Sequence, residues 1–88
     1  MAQVRLFAAL RKQAGLAQVI LAGDTVAEVL SGLCLQFPEL KEVLFDTGEL
    51  HPHFIVMVNG QNINLKQGLA TPLGKEDQVA IFSPIAGG

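Results

Sequence analysis

Apolar and polar residues alternate near both ends of this chain, and apolar residues recur at helical spacing between them. Alternation from Gln3 to Phe7 or Ala8 predicts a strand with Val4, Leu6 and Ala8 on one face and Arg5 and Phe7 on the other. Ala9-Leu10-Arg11-Lys12-Gln13-Ala14 has strong helix propensity. The strand is therefore expected to run into one helical turn that Gly15 stops. Gln18-Val19-Ile20-Leu21 predicts a second short strand, ended by Ala22-Gly23-Asp24.

The clearest helix begins at Thr25. Thr25-Val26-Ala27-Glu28 is a capping box, in which the Thr hydroxyl accepts from the N3 backbone N–H and Glu28 reaches back. Val26, Val29, Leu30, Leu33, Cys34 and Phe37 then recur at helical spacing as one stripe, expected to be buried. Pro38 ends that helix and can open a second, shorter one through Leu44 or Phe45.

Phe54 to Val58 predicts a strand, and Gln61 to Leu65 another. Asn59-Gly60 between them is a strong hairpin signal, because both turn residues need φ > 0. Gly68 to Asp77 forms a longer connection with Pro72, Gly74 and a charged Lys75-Glu76-Asp77 turn. Gln78 to Phe82 is the last predicted strand, and Pro84 ends its ladder.

The 88 residues suit one domain, and half of them are hydrophobic, enough for a core. Net charge is −2 with no basic stripe, which gives a nucleic-acid partner no electrostatic support. Tyr and Trp are absent, so most base-stacking platforms are absent too. A single cysteine, Cys34, allows no internal disulfide and suits a reducing cytoplasm. The apolar run Leu6 to Leu10 is too short for a signal-peptide core and is flanked by Arg5 and Arg11. Nothing approaches the ~20 apolar residues of a membrane span. A cytoplasmic location without a membrane partner is the expectation.

Candidate chemistry is sparse. His51-Pro52-His53 supplies two imidazoles, too few for a zinc site, and no Cys or further His stands at ligand spacing. A loop or strand-opening role fits them better. Asp46 and Glu49 are expected in a turn. Both histidines lie within one short segment, so no Ser/His/Asp constellation is suggested. No phosphate-binding Gly-x-x-x-x-Gly-Lys-[Ser/Thr] loop is present either, so activation by that route needs another protein.

The segment Pro84-Ile85-Ala86-Gly87-Gly88 carries the strongest functional signal. At an average Gly usage of about 7%, two closing glycines arise by chance in roughly 0.5% of chains. They follow a predicted strand and a proline, so residues 84–88 are expected to form a flexible tail on a 1–83 body. Two residues without Cβ can enter a narrow active site. An α-carboxyl has a pKa of about 3.3–3.7 and is ionised, hence a poor electrophile until activated. The expected reacting group is therefore the carboxylate of Gly88. Cys34, placed on the helix stripe, is expected to be a small buried hydrophobe and not a sulfur-bearing group.

In order, length and diglycine end, the chain resembles the ubiquitin-like β-grasp sulfur carriers. The resemblance covers essentially the whole chain. It is carried by Leu6-Phe7-Ala8-Ala9-Leu10-Arg11, by Val58-Asn59-Gly60, and by the run from Asp77 to Gly88. These segments look most like the small subunits of molybdopterin synthase. Gly68-Leu69-Ala70-Thr71 also looks like the carriers of a cysteine-forming route. Thiamine-pathway carriers are similar but usually shorter. Family members usually have Asp-Gly-Asp before the last strand where this chain has Lys75-Glu76-Asp77. That departure is expected to change a turn and leave the function alone.

The resemblance implies an α+β fold, a ubiquitin-like β-grasp with a mixed four- to five-stranded sheet packed on one main helix. It implies a carrier with no bound cofactor and no catalytic residues of its own. An E1-like adenylating enzyme would use ATP to activate Gly88, and the adenylate would become a thiocarboxylate. Its sulfur would pass to a synthase large subunit in molybdopterin synthesis, or to another sulfur-accepting enzyme. Delivery to cysteine, thiamine or a tRNA base remains open, as does isopeptide modification of proteins in the manner of ubiquitin. An inert β-grasp interaction module is the blandest option.

In a β-grasp sheet the first and last strands lie parallel and adjacent, with the Phe54–Val58 strand flanking the last. If Val4, Leu6, Val56, Val58, Val79 and Ile81 face the helix, then Phe7, Phe82, Ile55 and Met57 face away. Phe7, Phe82 and Met57 are then expected to form an exposed apolar patch beside the tail, a candidate partner surface. Resemblance supports the two Phe positions. Arg5 and Arg11 either rim that patch or are ordinary solvated charges.

Overall fold

The computed structural model describes residues 2–46, 48–51 and 54–82, and of residues 8, 9, 13 and 46 the backbone alone. Strand β1 (Ala2–Leu6) buries Ala2, Val4 and Leu6 and exposes Arg5. It stops at Leu6, earlier than the alternation predicts, because Phe7 becomes the N-cap of α1 (Ala8–Ala14) at φ −124° and ψ 154°. Ala8 is therefore the first residue of a helix and not part of a strand face. The expected single turn extends to 7 residues because nothing before Gly15 breaks it. Gly15 ends α1 at φ 79°, a left-handed value that costs glycine nothing, and donates its N–H to the Arg11 carbonyl at 3.0 Å.

Strand β2 (Gln18–Leu21) pairs antiparallel with β1. Thr25 then caps α2 (Val26–Gln36), its hydroxyl accepting the Glu28 N–H at 3.2 Å. The Glu28 carboxylate reaches back one residue beyond the cap and accepts the Asp24 N–H at 3.1 Å. Phe37 closes α2 and opens α3 (Pro38–Leu44), where Pro38 occupies a position whose missing N–H costs nothing.

Two short strands follow, β3 (Phe45–Asp46) and β4 (Glu49–Leu50), paired antiparallel as a small separate sheet. Asp46 and Glu49 thus flank a turn as paired strand residues. Strand β5 (Ile55–Val58) turns through Asn59 (φ 51°) and Gly60 (φ 83°) into β6 (Gln61–Asn62). The strand expected through Leu65 is cut short. The Asn62 side chain accepts the Asn64 N–H at 2.9 Å and turns the chain into a 3₁₀ turn over Ile63–Leu65. A second 3₁₀ turn covers Gly68–Ala70, and β7 (Gln78–Phe82) completes the sheet.

The sheet order is β2-β1-β7-β5-β6. The central pair β1–β7 is parallel, and every other pair in this sheet is antiparallel. Helix α2 buries Val26, Val29, Leu30 and Leu33 in a core shared with Leu6 and Ile81, and α1 and α3 add Leu10, Leu40 and Leu44. Each such side chain contributes about 1.5–3 kcal/mol on leaving water. Cys34 and Phe37 are only partly buried, at the margin of the stripe. Among the described residues, no helix is long and apolar enough to cross a membrane.

Two glycines should respond in opposite directions to the same change. A Cβ at Gly23 would stand 2.8 Å from Val29 Cγ2 and 3.0 Å from the Val29 nitrogen, so Gly23→Ala is expected to cost about 1–3 kcal/mol. At Gly32, inside α2, a Cβ meets Leu21 Cδ2 at an ordinary 3.9 Å. Gly32→Ala is expected to stabilise by about 0.5–1 kcal/mol through lost unfolded-state entropy. Urea unfolding of both variants tests the signs.

Candidate functional site

Strand register arranges the outward side chains of the sheet in three rows. Gln18, Arg5, Ala80, Met57 and Asn62 cross all five strands. Ile55 pairs with Phe82 in the next row, which Phe7 completes. Ile20, Gln3 and Gln78 make the row on the other side. The inward set is Val4, Leu6, Val56, Val58, Val79 and Ile81, all buried.

The expected faces are therefore the observed ones. Phe7 is 41% exposed, while Met57 and Phe82 are half-buried. The Phe7 and Phe82 rings meet edge to face, with centroids 6.1 Å apart and planes at 84°. Such a pair is worth about 0.5–1.5 kcal/mol beyond the area it buries. The Arg5 guanidinium stands over the Phe7 ring, its Cζ 5.9 Å from the centroid. Ile20, 58% exposed, is a further outward apolar side chain, on β2 beside Gln3. It escaped the sequence reasoning, although the alternation Gln18-Val19-Ile20-Leu21 contains the signal once the register with β1 is known.

Arg11 is carried by α1 and is not part of these strand rows. It is exposed on α1 and lines a shallow depression with Lys12, Gly15, Leu16 and Ala17. The expected tail, Pro84, Ile85, Ala86, Gly87 and Gly88, lies outside the described residues, as do Pro52 and His53. His51 packs edgewise on Phe54, centroids 6.1 Å apart, where the chain enters β5. No group of three His, Cys, Asp or Glu among the described residues is placed to hold a metal ion.

A side-chain clamp fixes the end of β7 away from the tail. The Asn59 amide donates to Asp77 Oδ1 at 2.9 Å, and its oxygen accepts the Gln78 N–H at 3.0 Å. The other Asp77 oxygen accepts the Gly74 N–H at 2.7 Å. The Gly74 N–H and then the Asn59 amide hold the Asp77 carboxyl below its ordinary value of 3.8. Asp77 thus organises the Lys75-Glu76-Asp77 turn by itself. Between α2, α3 and the β3–β4 turn, Cys34 lines a cleft with Ser31, Leu35, Lys41, Glu42, Phe45 and Gly48. Burial pushes its thiol pKa up, and the Lys41 charge partly offsets that.

A mixed sheet with a parallel central pair, wrapped on one main helix, defines a ubiquitin-like β-grasp protein. The chain belongs to the ThiS family of ubiquitin-like sulfur carriers, matched over residues 4–88. It is 34% identical over 77 residues to the sulfur carrier protein CysO of Mycobacterium tuberculosis, covering 84% of this chain and 83% of that protein. The solution structure of small archaeal modifier protein 1 from Methanosarcina acetivorans superposes with a TM-score of 0.92 at 36% identity, over 99% of this chain and 95% of that one. A chain in the crystal structure of the BexX/CysO complex of Amycolatopsis orientalis superposes at 0.89 with 26% identity, over the full length of both. Carriers and modifiers thus share this fold, and a relative occurs in complex with a second protein.

Two measurements check this geometry. Phe7→Ala is expected to cost about 1 kcal/mol of stability or less, and Phe82→Ala about 1–2, because neither ring is core. Denaturant melts that show a loss of several kcal/mol for either would reverse the assignment of faces. For Asp77, the folded protein favours the charged form. Its contribution is present above the ordinary value and is lost as pH falls through 3.8 toward the lower folded value. Between about pH 5 and pH 3, wild-type stability should fall more steeply than that of Asp77→Asn.

Proposed function

We propose that the Gly88 carboxylate is the group this carrier has activated and loaded. Support comes from the family match, which runs through Gly88, and from the 34% identity to a sulfur carrier. On an E1-like enzyme, a carboxylate oxygen of Gly88 attacks the α-phosphorus of ATP and expels pyrophosphate. A sulfur nucleophile such as hydrosulfide then displaces AMP from the acyl carbon and leaves a thiocarboxylate. The chain itself supplies the tail and a docking face of Phe7, Phe82 and Met57, while ATP binds the activating enzyme. These steps take place in the cytoplasm.

The acceptor we propose is a synthase large subunit in molybdopterin synthesis, on the resemblance of the Leu6–Arg11 and Asp77–Gly88 segments. The 36% identity to a small archaeal modifier protein carries a second reading, transfer of the same adenylate to lysine amines. Both share the activation step, and the product separates them. A thiocarboxylate shows in the intact mass as one oxygen replaced by sulfur. An isopeptide shows as a covalent adduct to a second protein.

Removal of Gly88, or addition of one residue after it, is expected to abolish ATP–pyrophosphate exchange with the E1-like enzyme of the same organism. Urea stability should stay within about 0.5 kcal/mol of wild type. Normal exchange by the shortened chain would sink the proposal.

A further inference from the structure

Arg5 is the single charged residue in the three outward rows, and it stands in the middle one, between Gln18 and Ala80. Among the described residues its guanidinium meets the Phe7 ring and no carboxylate. In the free protein this is a solvated cation on an aromatic face. A partner that covers Phe7 and Phe82 must also cover Arg5, because the guanidinium lies over the same ring.

Arginine does not shed its proton at any ordinary pH. Burial without a counter-charge would therefore cancel much of the benefit of the apolar contact. The neighbouring amides of Gln18 and Gln3 are neutral, can donate or accept, and discriminate little between partners. Arg5 alone sets a sign. A carboxylate matches its planar fork with two parallel hydrogen bonds, and the Phe7 ring behind it already limits its rotamers. Arg11 is carried by α1, outside the strand rows, where it lines a depression with Lys12.

We propose that the E1-like adenylating enzyme docks on this sheet face and presents an Asp or Glu side chain to Arg5, which makes Arg5 the charge determinant of that docking. The proposal rests on the reading of the Phe7–Phe82 face as a docking surface, and the test separates the two.

The probe is the E1-like adenylating enzyme of the same organism, assayed by ATP–pyrophosphate exchange over a range of carrier concentrations and salt. Melts first confirm that each variant folds. Arg5→Glu should raise the KM for the carrier about 100-fold, and Arg5→Ala about 10-fold, with kcat at saturation unchanged. Arg5→Lys should fall between Ala and wild type, because it keeps the charge and loses the fork. The salt dependence of wild-type KM should flatten in Arg5→Ala. If Phe82→Ala raises KM while Arg5→Glu stays within about twofold of wild type, the carboxylate is absent and the docking surface stands. Equal losses for Arg5→Ala and Arg5→Glu with an unaltered salt dependence would mean that Arg5 only stacks, which overturns the proposal. If neither Phe82 nor Arg5 substitution changes KM, the docking reading fails and takes the inference with it.

Discussion

The parallel pairing of β1 with β7 is the constraint on which the rest of this structure depends. It joins the first and last strands of the sheet at its centre. Parallel neighbours cannot be joined by a tight turn, so everything between them must be accommodated elsewhere. The β1–β2 and β5–β6 hairpins extend the sheet outward on either side, and α2 crosses one face. The pairing also brings Phe7 and Phe82 within 6.1 Å, although 75 positions separate them in sequence. The exposed aromatic pair is thus a product of topology and not of local sequence.

Burial is divided sharply between the two faces of the sheet. Val4, Leu6, Val79 and Ile81 are each at most 1% exposed, while the outward rows keep Phe7, Ile20 and Arg5 at the surface. The period of two along each strand makes this division hard to blur, since a one-residue slip would exchange the faces completely. Stability and recognition therefore draw on different residues of the same strands. Substitutions on the outward face can retune partners with little effect on the core, which suits a fold shared by carriers and modifiers.

Much of this was legible in the chain. Alternation predicts β1, β2, β5 and β7, and Thr25 with Glu28 marks the start of α2. Asn59-Gly60 marks the hairpin, and strand parity assigns Phe7, Met57 and Phe82 to the outer face. What escaped detection depended on contacts distant in sequence or on local competition. The end of β1 shifted because the Phe7 backbone caps a helix. β6 ended early because the Asn62 side chain captured the Asn64 N–H. The two-residue strands β3 and β4 are too short to carry a period. Cys34 sits at the margin of its stripe because the groups of α3 and the β3–β4 turn beside it leave a cleft. Ile20 joins the outer face only through its register with Gln3.

The clamp at Asn59 has a consequence for chemical ageing. A glycine after asparagine leaves the following peptide nitrogen open to attack the side-chain amide, and Asn59-Gly60 is such a pair. In the folded protein that amide is held at both ends, by Asp77 and by the Gln78 N–H, and so is kept from the attacking nitrogen. Unfolding releases it. Once converted to aspartate, the side chain would set a second carboxylate against Asp77 where an amide donor now stands, and like charges at that separation repel. The hydrogen bonds that anchor β7 therefore also preserve the residue that makes them, and a molecule that has lingered unfolded returns with its central strand less firmly tied.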